Sequence, residues 1–365
     1  MQIISAEKIF TGEEWLNDHA LILKNGQVDR VLPMSEIQSF ENKKHFENCS
    51  IVPAFIDAQV YGAAKRLLAA YPEVETLQLM YQQFSAEGTC LYLPTLATNT
   101  IDVFKKGIDA VRKYWAGDGK GVYGLHLEGP WINEIKRGAH VKEWIHSPSL
   151  AEVKELLEYG KGIIKMITIA PEVCGDEVID LILSHNIILS AGHSNATYDE
   201  ALRGFDKGIS TVTHLYNAMS ALQHRGPGLV GATMNHPKVT ASIIPDGYHV
   251  DFAAISIAKK IMKERMFAIT DAVTEANSGP YQHQLVGDKY ECNGTLSGSA
   301  LSMHTAFKNL VMRVGIEVEE ALKMCSLYPA QVLQCDDRYG KIAPQVAGQF
   351  LILNRQLAIV DVITS

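Results

Sequence analysis

From Ile51 onward, short apolar runs rich in β-branched residues alternate with stretches in which apolar residues recur every three or four positions. The first pattern is typical of buried strands and the second of amphipathic helices. The apolar runs start at intervals of roughly 22 to 42 residues, the length of one strand plus one helix. The eight runs are IVPAFIDAQV (51–60), TCLYLPTLA (89–97), GVYGLHLEG (121–129), IIKMITIAPE (163–172), IILSAGHS (187–194), STVTHLYN (210–217), VTASIIPDG (239–247) and MFAITDA (266–272).

The clearest predicted helix runs from Asn99 to Trp115. Its apolar residues are three and four positions apart, and Asn99 or Thr100 can cap its first turn. Eight successive units of strand and helix favour a (β/α)8 barrel, an α/β fold in which helices surround parallel strands. The alternative is a doubly wound open sheet, but no glycine-rich nucleotide-binding turn follows an early strand.

The two ends of the chain have strand patterns of their own. Asn25-Gly26 separates two apolar runs in LILKNGQVDRVL, which predicts a tight hairpin. Near the other end, helical patterns predict helices over residues 302–315 and 318–333, and the segments GQFLILN and AIVDVITS that follow are strand-like. We therefore expect a small β-sandwich domain built from residues 1–50 together with 335–365, beside a barrel domain of residues 51–334.

Composition limits the classes of partner and the cellular compartment. Of 365 residues, 47% are apolar and 20% charged, and 33 basic residues against 41 acidic ones give a net charge of −8. This balance argues against general binding to nucleic acids or anionic membranes. No run of about eighteen apolar residues predicts a membrane span, and the N-terminal segment lacks the apolar core of a signal peptide. Six widely spaced cysteines without a CxxC pair indicate reduced thiols, so we expect a cytoplasmic protein.

Polar side chains able to do chemistry follow most of the apolar runs. In a (β/α)8 barrel, the active site forms at the C-terminal ends of the strands. The fourth run ends on Pro171-Glu172. Five other runs end on imidazoles or carboxylates, which are His126 and Glu128 on the third, His193 on the fifth, His214 on the sixth, Asp246, His249 and Asp251 on the seventh, and Asp271 on the eighth.

Glu128, His193 and His214 are the strongest candidates for metal ligands. One carboxylate and two neutral imidazoles form a common ligand set for a divalent metal that keeps one position open for water. Any one of these histidines alone could instead be a buried side chain that bonds the backbone. Asp271 is suited to be a general base, although a carboxylate there could also cap the next helix. His126 is expected to lie behind the ligands or to pack in the core.

Several short motifs occur in a characteristic order, namely HLEGPWIN, GAH, SAGHSNA, THLYNAM, HRGPG, DGYHVD, ITDAV and GTLSGS. Together they resemble the N-acetylglucosamine-6-phosphate deacetylase family of the amidohydrolase superfamily, over most of residues 51–333 and in the split β-domain. The resemblance implies Glu128, His193 and His214 as metal ligands and Asp271 as the catalytic acid and base.

The same resemblance implies a set of substrate-binding residues. His140 would lie near the acetamide and the sugar and would also be catalytic. The backbones of Asn217 and Ala218 would contact the sugar. Arg225 and His249 would bind the phosphate. It also implies a homodimer in which Arg225 reaches into the neighbouring subunit's site. Arg225 precedes the turn Gly226-Pro227-Gly228, and an ordered loop of this kind can present a guanidinium to a phosphate group. The same arginine could also be a solvated charge on a loop.

Two features of the sequence differ from those of amidohydrolases that bind two metal ions. Where many amidohydrolases carry His-x-His, this chain has QVY (59–61), and neither an amide nor a phenol is a favoured ligand for zinc or iron(II). Binuclear relatives also use a lysine at the end of the fourth strand, but here that end is APE (170–172). We therefore expect one divalent ion per chain, zinc or iron(II).

These observations predict a hydrolase of a linear amide bond. The substrate implied by the resemblance is N-acetylglucosamine-6-phosphate, which would be cleaved to glucosamine-6-phosphate and acetate in amino-sugar catabolism. One alternative is another amidohydrolase that acts on a different N-acyl or cyclic amide. Another is an inactive barrel used for interaction, for which Gln59 and Tyr61 are the only indications, since the candidate ligands and Asp271 are all present.

Overall fold

The computed structural model describes residues 2–37 and 43–364 of the chain. Its strands, numbered in chain order, are β1 Gln2–Phe10, β2 Trp15–Asn17, β3 His19–Lys24, β4 Gln27–Pro33, β5 Lys43–Pro53, β6 Phe55–Val60, β7 Gly62–Ala63, β8 Arg66–Leu67, β9 Thr89–Ala97, β10 Leu125–Glu128, β11 Ile164–Ile169, β12 Ile188–Ala191, β13 Thr211–Val212, β14 Thr240–Ile243, β15 Met266–Ala268, β16 Gln284–Val286, β17 Lys289–Cys292, β18 Thr295–Ser299, β19 Gln349–Asn354 and β20 Ile359–Thr364.

The α-helices surround the central sheet. They are α1 Val74–Ala86, α2 Ile101–Ala116, α3 Leu150–Tyr159, α4 Asp176–Ser184, α5 Tyr198–Lys207, α6 Gly228–Asn235, α7 Phe252–Met262, α8 Met303–Asn309, α9 Val318–Cys325 and α10 Leu327–Val332. Helix α2 confirms the predicted helix: the Thr100 side chain caps it, and Phe104, Ile108 and Val111 on its apolar face are buried. In the part of the chain that the structure describes, no helix is long and apolar enough to cross a membrane.

Eight parallel strands form the barrel, in the order β6-β9-β10-β11-β12-β13-β14-β15. Its two edges are joined at the carboxyl ends, where the Asp271 N–H donates to the Gln59 carbonyl at 3.0 Å and the Tyr61 N–H to the Ala272 carbonyl at 2.9 Å. Strands covered on both faces read as continuous apolar runs, and every residue of β9 is buried. The predicted (β/α)8 barrel is confirmed.

The two chain ends meet in a seven-stranded sheet, in which β20-β19-β5-β1-β3-β4 lie in that order and β2 pairs with β1. The predicted hairpin is present, with Asn25 and Gly26 at φ values of 50° and 76° between β3 and β4. The predicted pairing of the tail with the N-terminal strands is confirmed by the antiparallel pair of β19 and β5. The stated domain limits stay a prediction, and residues 1, 38–42 and 365 lie outside the described residues.

Three details differ from the sequence-based expectation. The first apolar run divides at Ala54: residues 51–53 end β5 of the small sheet, and only β6 belongs to the barrel. A three-stranded antiparallel sheet, β16 to β18, follows the last barrel strand, although no strand was predicted there. The predicted helix over 302–315 ends in a π-helical turn, Leu310–Val314. The first difference arises because both sheets bury their strands, so the hydrophobic pattern does not change at the boundary.

Candidate active site

A cavity of about 330 Å³ opens at the carboxyl ends of the barrel strands. Parallel strands that surround a barrel bring the residues that follow them to one face, even when they are far apart in the sequence. Most residues predicted from the sequence line this cavity, namely Glu128, His140, His193, His214, Asn217, Ala218, His249 and Asp271.

Glu128, His193 and His214 form a compact triangle. Glu128 Oε1 lies 3.2 Å from His193 Nε2 and 3.1 Å from His214 Nε2, and the two nitrogens are 3.1 Å apart. Ligands about 2.0–2.1 Å from a tetrahedral metal lie roughly 3.3 Å from one another. Burial acts to raise the pKa of Glu128, but the neighbouring His193 and His140 hold it well below its usual range, so the carboxylate is ionised.

His140 lies against the same carboxylate, and Glu128, His140 and His193 could together hold an ion. Hydrogen bonding argues against His140 as a ligand. The Thr98 backbone N–H can only donate, and it donates to His140 Nδ1 at 3.2 Å. Burial lowers the pKa of His140 to about 4, so the ring is neutral and carries its proton on Nε2, which donates to Glu128 Oε2 at 3.1 Å.

His193 has the opposite tautomer. Its Nδ1 donates to the Lys136 carbonyl at 2.9 Å, which leaves the lone pair of Nε2 free to face Glu128 and His214. A hydrogen bond from the distal ring nitrogen to a carbonyl is the usual way in which proteins orient a ligating histidine. The donor set of Glu128, His193 and His214 therefore fits one divalent ion, with His140 beside it as a hydrogen-bond donor.

Asp271 lies at the end of the eighth barrel strand and is buried. Its Oδ1 has no hydrogen-bond partner among the described residues. Burial raises its pKa well above the usual range, and the charges of Glu128 and Asp57 add to this rise. An aspartate with a raised pKa and a free oxygen in a cavity can accept a proton.

Three of these side chains share an uncommon backbone conformation. His193, His214 and Asp271 have φ values of 46°, 37° and 55°. Non-glycine residues in this left-handed region cost about 1–3 kcal/mol each, so the surrounding contacts must hold them. The strand ends thus turn their side chains into the cavity at an energetic cost, as is common in active sites.

Gln59 and Tyr61 also contact Glu128. Gln59 Nε2 donates to Glu128 Oε1 at 3.0 Å and to the Tyr61 hydroxyl at 2.7 Å. The Tyr61 hydroxyl in turn donates to Glu128 Oε2 at 2.5 Å. The two residues that replace His-x-His therefore fix the carboxylate by hydrogen bonds.

His249 also lines the cavity. Its Nδ1 donates to Asp246 Oδ2 at 2.6 Å, which leaves Nε2 for a ligand. Burial acts to raise the pKa of Asp246, but the hydrogen bonds and charge of His249 lower it below its usual value. Arg225 is exposed on the loop 221–226 and does not line the cavity of its own chain.

Several cavity residues were not identified from the sequence. Tyr281, His283 and Ser297 line the cavity from the segment that holds the three-stranded sheet β16 to β18. The Tyr281 hydroxyl donates to the Thr98 carbonyl at 2.5 Å, on the residue that fixes the tautomer of His140. No sequence signal pointed to this segment except the GTLSGS motif, which contains Ser297. His126 lies behind the ligands as expected, between the Ala58 carbonyl and the Thr168 hydroxyl.

Comparison with known proteins identifies the family of this chain. The amidohydrolase family model matches residues 50–364, and the NagA composite domain model matches residues 6–41. The chain belongs to the amidohydrolase family.

Several of the similar proteins are named as deacetylases of amino-sugar phosphates. The chain is 31% identical to the N-acetylglucosamine-6-phosphate deacetylase of Haemophilus influenzae, over 92% of this chain and 90% of that protein. It is 32% identical to the N-acetylgalactosamine-6-phosphate deacetylase of Escherichia coli O157:H7, over 94% and 92%. The crystal structure of N-acetylglucosamine-6-phosphate deacetylase from Pasteurella multocida superimposes with a TM-score of 0.94 at 30% identity, covering 100% of this chain and 98% of that one.

Proposed function

We propose that this protein hydrolyses the acetamide of N-acetylglucosamine-6-phosphate to glucosamine-6-phosphate and acetate. The observation that carries the proposal is the triangle of Glu128, His193 and His214 beside the buried and partly unpaired Asp271. Similarity to deacetylases over nine tenths of the chain supports the same reaction.

Glu128, His193 and His214 would hold one divalent ion, zinc or iron(II). Such an ion polarises the acetamide carbonyl and makes water more acidic. Asp271 takes a proton from the water that attacks the carbonyl carbon, and burial makes it a stronger base than an exposed aspartate. Asp271 then gives this proton to the amine nitrogen, which must be protonated to leave. The proton on His140 Nε2, which faces Glu128 Oε2 in the free protein, would turn to the carbonyl oxygen when substrate binds and stabilise the negative charge that develops on it.

The rest of the cavity would bind the sugar phosphate. His249, held by Asp246, would present Nε2 to the phosphate. Asn217 and Ala218, which also line the cavity, would contact the sugar. Arg225 is exposed and lies outside its own chain's cavity. In the role that the resemblance implies, it would complete the phosphate site of a second copy in a homodimer. Six free, buried cysteines support a reducing compartment, the cytoplasm.

A second candidate substrate is N-acetylgalactosamine-6-phosphate. The chain is as similar to an N-acetylgalactosamine-6-phosphate deacetylase as to the N-acetylglucosamine-6-phosphate deacetylases. The two sugars differ only in the orientation of one ring hydroxyl, so the same catalytic groups would serve both. Only a comparison of kcat/KM for the two phosphorylated sugars ranks them.

Acetate release tests the proposal directly. The purified protein should release acetate from N-acetylglucosamine-6-phosphate, lose this activity after chelation, and regain it with zinc or iron(II). Elemental analysis of the reloaded protein should find about one ion per chain, because Gln59 and Tyr61 are poor ligands. The Asp271→Asn protein, purified in parallel, controls for a contaminating enzyme. Absence of acetate from either phosphorylated sugar in the metal-loaded protein would refute the proposed function.

A further inference from the structure

Glu172 follows strand β11 and is half-buried beside the cavity. Its carboxylate accepts three hydrogen bonds, from the Asn195 backbone N–H at 2.6 Å, the Ser194 hydroxyl at 2.7 Å and Asn133 Nδ2 at 2.9 Å. Among the described residues, no Lys, Arg or His nitrogen lies within 4 Å of it as an ion-pair partner. The carboxylate is therefore satisfied by neutral donors that belong to two different loops.

Both loops are attached to His193. Ser194 and Asn195 directly follow it in the chain. The Asn133 N–H donates to the His193 carbonyl at 2.8 Å, and in the same loop the Lys136 carbonyl accepts the proton of His193 Nδ1 at 2.9 Å. Glu172 thus connects the segment that carries His193 to the segment that fixes the orientation and tautomer of its ring.

His193 needs such support because its backbone is strained. Its φ of 46° lies in the left-handed region, and an unsupported histidine would relax towards a more common conformation. Relaxation would turn Nε2 away from Glu128 and His214, which lie 3.2 Å and 3.1 Å from it. A ring displaced in this way would still fold into the barrel but would bind a metal ion more weakly.

We propose that Glu172 is a positioning residue that holds His193 in the orientation required of a metal ligand. This inference rests on the proposed function only in that it takes His193 as a ligand. Glu172 itself touches neither the ion nor the substrate. It acts through Asn133, Ser194 and Asn195, and a carboxylate suits this role because its two oxygens can accept all three hydrogen bonds at once.

The test compares Zn²⁺ affinity, measured by competition with a chromophoric chelator, in three variants of the full chain. Glu172→Ala removes all three contacts and should weaken Zn²⁺ binding about tenfold or more, the effect typical of residues that orient metal ligands. Glu172→Gln keeps one accepting oxygen and should recover most of the affinity. The matched control is Glu200→Ala, since Glu200 likewise accepts a backbone N–H and a hydroxyl, both from Thr197 at 2.8 Å, but contacts no residue next to His193.

A spectroscopic readout separates positioning from general destabilisation. The visible absorption of the cobalt(II)-loaded protein should change in Glu172→Ala and be unchanged in Glu200→Ala, even if both variants lose thermal stability. Wild-type affinity and spectrum in Glu172→Ala would overturn the inference, as would equal losses in Glu200→Ala. If Glu172→Ala does not fold, Glu172→Asp withdraws the carboxylate by one methylene and must show the same loss. A wild-type protein that binds Zn²⁺ but releases no acetate would refute only the proposed function.

Discussion

At the scale of single residues, Asp271 combines a strained backbone, complete burial and an oxygen without a partner among the described residues. Asp271→Asn is isosteric, but the amide cannot take a proton from water. We expect kcat for acetate release to fall about a thousandfold or more, because one residue serves as both base and acid. The metal content and the thermal midpoint should stay close to wild type. Retention of more than about a tenth of the activity would show that another group transfers the proton.

Asp57 offers a prediction about pH. It is buried in the barrel, where it accepts hydrogen bonds from the Thr270 hydroxyl and from the backbone N–H groups of Thr270 and Gln59. Burial nevertheless raises its pKa from 3.8 to about 6. The folded protein therefore binds this proton more tightly than the unfolded chain does. Between about pH 4 and 6, the free energy of unfolding falls as the pH rises, by about 3 kcal/mol in total.

Asp57→Asn removes this dependence. The free energy of unfolding in urea, variant minus wild type, should rise by about 3 kcal/mol between pH 4 and 7. Asp288→Asn, at an exposed position, should show no such change over the same range. If the difference in free energy of unfolding between Asp57→Asn and wild type does not change with pH, the buried carboxyl titrates as it does in the unfolded chain.

Residue types at strand ends were sufficient to find the candidate metal ligands and Asp271. Glu128, His193, His214 and Asp271 each directly follow or end an apolar run, and a barrel places all such positions on one face. The tautomer of a histidine could not be found in this way. It depends on one backbone N–H, that of Thr98, which lies 42 residues before His140 in the chain.

At the scale of secondary structure elements, strand β18 packs against the end of β15. The Ser299 N–H donates to the Asp271 carbonyl at 2.9 Å. Gly298 has a φ of 69°, and a Cβ there would collide with Val273 and lie 2.9 Å from the Asp271 carbonyl oxygen. A side chain at position 298 would therefore push β18 away from Asp271.

Gly298→Ala should lower kcat about tenfold or more and lower the thermal midpoint. The matched control is Gly294→Ala in the turn before β18. Gly294 has a similar φ of 74°, but a Cβ added there would meet no atom within 4 Å, so the variant carries the backbone strain without the collision. Equal losses of kcat in both variants would attribute the effect to strain alone.

The elements that were missed share a physical cause. All three residues of β16 are exposed, so the strand has no alternation of buried and exposed positions by which to recognise it. Its sheet is held instead by contacts made after the chain has folded back over the barrel, such as the bond from Tyr281 to Thr98. The proposed role of Glu172 could not be predicted from the sequence either, because its hydrogen-bond partners come from two loops, one before it and one after it in the chain.

At the scale of the whole molecule, the proposed role of Arg225 predicts that the phosphate site is shared between two chains. Arg225→Ala should raise KM for the phosphorylated sugar about ten- to a hundredfold, the contribution of a bidentate contact between arginine and phosphate. The low rate on the unphosphorylated sugar should hardly change. Equal losses on both sugars would exclude a role in phosphate recognition.

Mixing two impaired chains tests the shared site. When Arg225→Ala and Asp271→Asn proteins exchange subunits, a mixed dimer contains one site with both Arg225 and Asp271 intact. Activity should then recover in part. No recovery in subunits whose exchange is demonstrated would place Arg225 in the site of its own chain.

The pairing of β19 with β5 also affects how the protein is made. Strand β5 leaves the ribosome early, and its partner Gln349–Asn354 is synthesised roughly 300 residues later, which takes about 15 to 60 s at the usual rate of translation. During that interval one edge of β5 has no partner strand, and an open apolar edge is a template for aggregation. The nascent chain is therefore most in need of a chaperone while the barrel itself is being synthesised. A chain that terminates before residue 349 never makes the partner strand, so this edge of β5 stays unpaired.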